Sequence, residues 1–221
     1  MSGMRSKPLP HTGETTVLNT NTSEIVIPGY LLLNYENDLR VEEQISKGGG
    51  GVIYVGTLMA TGPQAKQTGQ EKVVIKHIPD REDFSAEENQ RNFEQEISSM
   101  SALSYHPNVV KILGYCLMPR CMVMPLMDGD LYHLIHDSSI TFDSRIRIGF
   151  AKDISAALAA CHSSGVIHRD LKTPNLLVKK IRAGANPKFL VQLSDFGVCR
   201  VRDTGAVKGR VFLNVFGLSY K

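Results

Sequence analysis

His168-Arg169-Asp170-Leu171-Lys172-Thr173-Pro174-Asn175, followed further along by Asp195-Phe196-Gly197, decides how this chain reads. A carboxylate at Asp170 and an amide at Asn175 are spaced for a loop that holds one nucleophile and one metal. A second carboxylate, Asp195, can take another metal. Such a set meets the needs of phosphoryl transfer, which relies on charge neutralisation and in-line positioning more than on covalent chemistry. For either residue alone the plainer reading is an ordinary loop aspartate or a turn asparagine. Their joint spacing is what carries the argument.

Two features upstream fit the same chemistry. Lys47-Gly48-Gly49-Gly50-Gly51 lies between strand-like segments, and a turn without Cβ atoms lets backbone N–H groups approach phosphates. By itself the run reads nearly as well as a simple glycine hairpin. Lys76 ends the run Val73-Val74-Ile75-Lys76. A lysine on an apolar strand more often snorkels to solvent. Glu96, however, falls among Phe93, Ile97, Met100 and Leu103, on or beside the inward face of a helix, where a carboxylate needs a partner. Two inward charges of opposite sign answer each other.

The order of elements gives the fold class. Leu39, Val41, Glu43 and Ile45 share one predicted strand face, and Val52–Leu58 and Lys72–His77 follow as further strands. The stretch Ala60–Lys72, with Gly62, Pro63 and Gly69, reads as a long loop. Ser85-Ala86-Glu87-Glu88 is a capping box that opens the Glu96 helix. Val109–Cys116 and Cys121–Leu126 read as two more strands around Met118-Pro119-Arg120. Ile146, Phe150, Ile154, Leu158 and Cys161 make a second long amphipathic helix, capped near Asp143 or Ser144. Val166–Ile167, Leu176–Val178 and Leu190–Leu193 read as short strands around the Asp170 loop. Five strands with one helix, then a helical half, is an α+β, two-lobe order.

Composition sets the outer limits. The chain has 221 residues, a formal net charge of +3 and no apolar run long enough to span a bilayer. This charge gives no reason to expect nucleic-acid or membrane partners. The polar lead-in Met1–Asn21 lacks a signal-peptide core, and residues 1–38 read as a flexible arm. Gly3 does not follow the initiator directly, so myristoylation is not expected. Cys116, Cys121, Cys161 and Cys199 show no close pairing of the zinc-ribbon or redox type, and read as free thiols of a cytoplasmic protein.

From Leu39 to Arg200 these motifs resemble the eukaryotic protein kinases of the serine/threonine type, and most closely the tyrosine-kinase-like group. Ser46, Gly48, Gly51 and Ile53 fall on the glycine-loop pattern G-x-G-x-x-G-x-V, with Ser46 in the first glycine's place. Val74 stands where the family's V-A-I-K strand has alanine. The resemblance implies a five-stranded N-lobe with its C-helix and a helical C-lobe, N-lobe and hinge over residues 39–127 and a partial C-lobe over 128–221. It implies ATP and Mg²⁺ as cofactors and a Ser/Thr protein as substrate. Asp170 would accept the hydroxyl proton, and Lys172 would steady the γ-phosphate. Lys76, oriented by Glu96, would hold the α- and β-phosphates, and Asn175 and Asp195 would bind metal. Met122–Met127 resembles the fifth strand and hinge, with Met124 as gatekeeper and Leu126 and Met127 at the adenine edge. Arg169 marks the type set by activation-loop phosphorylation, for which Thr204 and Ser219 are the candidate hydroxyls.

Past Arg200 the resemblance fades, and residues 201–221 contain no Ala-Pro-Glu. The sequence therefore leads us to expect an incomplete C-lobe that is atypical from about residue 201. Val211–Phe216 is an apolar run that either covers exposed surface or belongs to a translated non-coding tail. Three functions stay open at this level. They are a protein serine/threonine kinase, a catalytically impaired nucleotide-binding or scaffold module, and a fragment without an independent fold.

Overall fold

The computed structural model describes residues 25–48, 50–59, 72–182 and 187–201. The Ala60–Lys72 loop up to residue 71, Gly49, Thr204, Ser219 and the Val211–Phe216 run lie outside the described residues.

Alternation builds the first layer. Strands β1 (Leu39–Gly48), β2 (Gly51–Leu58), β3 (Lys72–His77), β4 (Gly114–Leu117) and β5 (Arg120–Pro125) form one antiparallel sheet in the order β1-β2-β3-β5-β4. In β3, Val74 and Lys76 face one side while Val73 and Ile75 face the other, because successive strand residues point to opposite faces. In β5, Met122 and Met124 join the first face and Cys121 and Val123 the second. Both faces are therefore apolar, and both need cover.

The inner face is covered by the long helix at Ala86–Leu103. Ser85 accepts a hydrogen bond from the Glu88 backbone, and the Glu88 side chain accepts one from the Ser85 backbone at 2.8 Å, as the sequence pattern predicts. Phe93, Ile97, Met100 and Leu103 are buried along the predicted stripe. Each such side chain contributes about 1.5–3 kcal/mol of transfer free energy.

The outer face is covered by a segment that the sequence places in the N-terminal arm. Helix α1 (Tyr35–Asp38) and the residues before it lie across the sheet, with Leu33 buried among Leu39, Leu58, Val73, Ile75 and Val123. Leu33 N–H donates to the Tyr115 carbonyl at 2.8 Å, and Leu32 bridges Tyr115 in parallel, so this strap also caps the β4 edge. Tyr35 Oη lies 3.1 Å from His77 Nε2, at the far end of β3. The triplet Leu31-Leu32-Leu33 was the available signal for this packing.

Two strand expectations change. Register shifts at Val41/Gln44 and Gln44/Ser46 break the alternation of β1, so Ile45 is 51% exposed rather than sharing the face of Leu39. The predicted strand Val109–Cys116 shortens to β4, because Val109 bridges Leu193 in parallel and Val110 N–H donates to the Leu193 carbonyl. Cys116 and Cys121, read in the sequence as free thiols with no close pairing of the zinc-ribbon or redox type, face each other across the β4–β5 hairpin, because a tight turn sets residues on either side of it in register.

The second half holds β6 (Gly129–Asp130), β7 (Val166–Ile167), β8 (Leu176–Arg182), β9 (Lys188–Leu193) and β10 (Arg200–Val201). With the helix Ala86–Leu103 as α2, its helices are α3 (Leu131–His136), which the sequence did not reveal, and α4 (Ser144–Ser163). Asp143 caps α4 by accepting from the Ile146 N–H at 2.9 Å. Phe150 and Cys161 of the predicted stripe are buried, and Ile146, Ile154 and Leu158 are half-buried against the same core. Gly165, at φ +73°, ends the helix in the left-handed conformation.

Gly114 tests the strap. A Cβ there would sit 2.3 Å from Leu33 Cδ1 and 3.0 Å from the Leu31 carbonyl oxygen. Gly114→Ala is expected to lift the strap and lower unfolding free energy by about 1–3 kcal/mol, read from the midpoint of a denaturant titration. An unchanged midpoint would mean that the strap contributes nothing to stability.

Candidate functional site

The cleft between the two halves gathers six of the polar side chains predicted for it. Lys76 stands on the inner face of β3, and Glu96 on the inward face of α2. Lys76 Nζ donates to Glu96 Oε1 at 2.9 Å and to Asp195 Oδ1 at 2.9 Å. The two predicted inward charges thus meet, and a third joins them from the loop after β9. Burial pushes the Lys76 ammonium down, but the two carboxylates outweigh it and hold it above its ordinary range. Burial also pushes the Glu96 carboxyl up, and Lys76 offsets this only in part. These tendencies oppose each other on one ion pair. We read it as charged, because neutral Glu96 would leave the ammonium of the buried Lys76 with a single partner on its open side.

The loop between β7 and β8 carries the other three. Asn175 Nδ2 donates to the Asp170 backbone carbonyl and to Asp170 Oδ2, each at 2.9 Å. Lys172 Nζ lies 2.7 Å from the same Asp170 oxygen. That contact, helped by Asn175, holds the Asp170 carboxyl below the usual carboxylate range, so it is ionised at neutral pH. Ser194 ties this loop to the next: its N–H and Oγ both donate to the Asn175 carbonyl at 2.9 Å. Asn175 and Asp195 are thereby brought to the same wall of the cleft.

Backbone strain marks this junction. Arg169 and Asp195 adopt φ of +66° and +64°, an uncommon region for residues with a Cβ. Both are held from outside. Arg169 Nε donates to the Val198 carbonyl at 2.6 Å. His168, 2% exposed, contacts the Ser194 carbonyl through Nε2 at 2.9 Å and packs edge-on against the buried Phe196 ring, 4.8 Å between centroids.

The predicted nucleotide-facing residues fall on the sheet above. Ser46 pairs with Ile53, Gly48 with Gly51, Ile53 with Lys76 and Val74 with Met124. Gly51 adopts φ +123°, and a Cβ on it would lie 2.0 Å from the His77 carbonyl oxygen, so only glycine fits. Gly50 stands over the site lysine, with its Cβ position 4.0 Å from Lys76 Cε. Leu126 and Met127 lie half-buried just past β5, and Lys179 Nζ reaches the Leu126 carbonyl at 3.4 Å.

Sequence reasoning missed two supports. Buried Asn108 donates from Nδ2 to the Val191 carbonyl at 3.1 Å, while its own carbonyl accepts from Leu193 N–H at 2.8 Å. Asp153 of α4 accepts from Val191 N–H at 2.9 Å. Together they fix β9 and so place Asp195. The signal was a polar residue beside each apolar run, too common to single out.

Asn175 and Asp195 supply hard oxygen donors of the kind Mg²⁺ prefers. Among the described residues no group of three or more His, Cys, Asp or Glu could hold a metal. A cation here would complete its shell with water and phosphate oxygens, which fits a metal that arrives with a nucleotide.

The chain is similar to known proteins over most of its length. The family model for protein tyrosine and serine/threonine kinases matches residues 39–211. The probable serine/threonine-protein kinase pats1 of Dictyostelium discoideum is 31% identical over 205 residues, 85% of this chain and 6% of that protein. Cyclic GMP-binding protein C of the same organism is 31% identical over 198 residues, 83% of this chain and 7% of its own. The probable serine/threonine-protein kinase drkA, also from Dictyostelium discoideum, is 30% identical over 176 residues, covering 77% and 24%. The chain thus spans a small fraction of the length of these relatives.

Glu96→Gln probes the central ion pair. Removing one partner of a buried pair is expected to cost about 3–5 kcal/mol, measured by denaturant unfolding. The raised Lys76 pKa gives stability that is fully present below its unfolded value of 10.5 and lost as pH rises through the folded value. In Glu96→Gln that alkaline loss should begin at lower pH than in the parent chain.

Proposed function

This chain belongs to the protein tyrosine and serine/threonine kinase family, and from that premise we propose that it transfers the γ-phosphoryl group of ATP to a serine or threonine hydroxyl of a protein. One observation carries the reading. Lys76 is held between Glu96 and Asp195 while Asp170 is held between Lys172 and Asn175, so a cation suited to phosphate and an ionised carboxylate stand on segments joined by the Ser194–Asn175 hydrogen bonds. Three curated relatives among those compared bear serine/threonine kinase names.

Each residue then has a task. The Gly48–Gly51 turn, with Ser46 and Ile53, lies over the phosphates, and Val74, Met124, Leu126 and Met127 border the base. Lys76 neutralises the α- and β-phosphates, with Glu96 as positioning residue. Asp170, ionised at neutral pH, accepts the proton of the attacking hydroxyl and orients its oxygen. Lys172, released from Asp170, meets charge on the γ-phosphoryl group. Asn175 and Asp195 would hold Mg²⁺, which would supply charge neutralisation on the phosphate groups. For Asp195 to serve the metal, its Oδ1 contact with Lys76 must be shared with the phosphates.

Thermal unfolding with and without Mg-ATP tests the site. A ligand at about 100 times its Kd adds roughly 2.7 kcal/mol, so the midpoint should rise in the parent chain and stay unchanged in Asp195→Ala. No rise in the parent would refute nucleotide binding. Asp170→Asn should retain the thermal shift yet slow transfer to a generic Ser/Thr peptide by roughly 10²–10⁴-fold, the usual worth of a general base. Equal rates in the two proteins would remove Asp170 from the chemistry, and binding without any turnover in the parent would favour a non-catalytic nucleotide module.

A further inference from the structure

Two cysteines that the cleft does not use face each other on the far side of the sheet. Cys116 of β4 and Cys121 of β5 are register partners, next to the turn pair Leu117 and Arg120. Directly opposed antiparallel residues have Cα atoms about 4.5–5.5 Å apart, and a disulfide spans Cα separations of about 4.4–6.8 Å. The hairpin already supplies the geometry of a bridge, yet both thiols are free.

Access is the second requirement. Both residues are nearly inaccessible, 1% and 0% exposed, but Cys116 also lines a cleft of about 600 Å³. Its walls are the strap residues Leu32–Glu36 and the turn Leu117–Pro119, with Met118 almost wholly in solvent. Such a cleft admits a molecule as small as a peroxide. The other thiols lack this combination. Cys161 is buried in the helical half, and Cys199 contacts Ser99 Oγ at 3.3 Å.

Chemistry between the two sulfurs favours reaction. Their mutual interaction eases the first ionisation, at Cys121, while the Cys116 proton is held up by that same interaction and by burial. The two side chains are within hydrogen-bond reach of each other, so transfer of the Cys116 proton to Cys121 puts the thiolate on the cleft side.

We propose that Cys116 and Cys121 form a redox modification site, closed by hydrogen peroxide into a disulfide within the β4–β5 hairpin. The Cys116 thiolate attacks one peroxide oxygen. The O–O bond breaks, an S–O bond forms, and the departing hydroxide takes a proton to become water. The Cys121 sulfur then attacks the Cys116 sulfur. The S–O bond breaks, the S–S bond forms, and a second water leaves with the Cys121 proton. Two thiols lose two electrons and one peroxide gains them. This inference does not rest on phosphoryl transfer.

Arg120 lies between the two cysteines, so trypsin separates residues 112–120 from 121–145 unless a disulfide joins them. The full chain is treated with hydrogen peroxide in native buffer, alkylated with N-ethylmaleimide and digested without reductant. The expected product is the joined pair of peptides, lighter than their sum by two hydrogens and separated by dithiothreitol, with Cys161 alkylated. The oxidised chain should also melt several degrees higher, and Cys116→Ser should show no such rise. Separate peptides after peroxide, or a bridge from Cys121 to Cys161 or Cys199, would overturn the proposal. The map needs only the parent chain, so it decides even if Cys116→Ser fails to fold.

Discussion

An ammonium group on the inner face of a sheet is the constraint around which this molecule is arranged. Lys76 is held charged there by Glu96 and Asp195, which together outweigh the cost of its burial. Glu96 reaches it only with α2 docked on the sheet. Asp195 reaches it only with the loop after β9 turned into a left-handed residue and drawn up from the other half. Desolvating these charges works against stability, so the apolar stripe of α2 and the buried Phe196 must hold the elements together. One contact therefore reports on three segments remote in sequence, and the cleft has its shape only when all three are in place.

The same alternation that turns Lys76 inward gives the sheet a second apolar face. Val73, Ile75, Cys121 and Val123 would meet water without the strap. Two opposite solutions are thus used on one sheet: a long capped helix inside and a short irregular segment outside. The helix presents charge to the cleft, and the strap presents only hydrophobic and aromatic side chains to the sheet. Among its polar contacts are the backbone bond to Tyr115, the bond from Met59 N–H to the Asp38 carbonyl and the Tyr35–His77 pair.

Much of the site was legible because its spacing is local. The capping box, the α2 stripe and the Asp170–Asn175 loop each rest on a few neighbouring residues, and the Lys76–Glu96 pairing on two inward charges each read from its own element, so periodicity and residue chemistry decide the outcome. What sequence could not show depends on partners far away. The register shifts of β1 are set by β2, and Val109 leaves the strand because its neighbours Asn108 and Val110 bond to Leu193. Leu31–Leu33 looks like part of a polar arm until the exposed outer face is known to need cover. Asn108 and Asp153 are ordinary polar residues until Val191 is placed between them. Cys116 and Cys121 become a pair only when the hairpin closes.

The strap also bears on where this unit can be cut from a longer polypeptide. The family match begins at residue 39, and a boundary drawn there would discard Leu31, Leu33 and Tyr35. Such a piece would keep every charged group of the cleft and yet expose a greasy, unpaired strand edge at β4, the kind of surface on which copies of a chain stack. A transplantable version of this domain should instead begin ahead of Leu31. The segment is part of the folding unit, though it lies outside the residues that the family model matches.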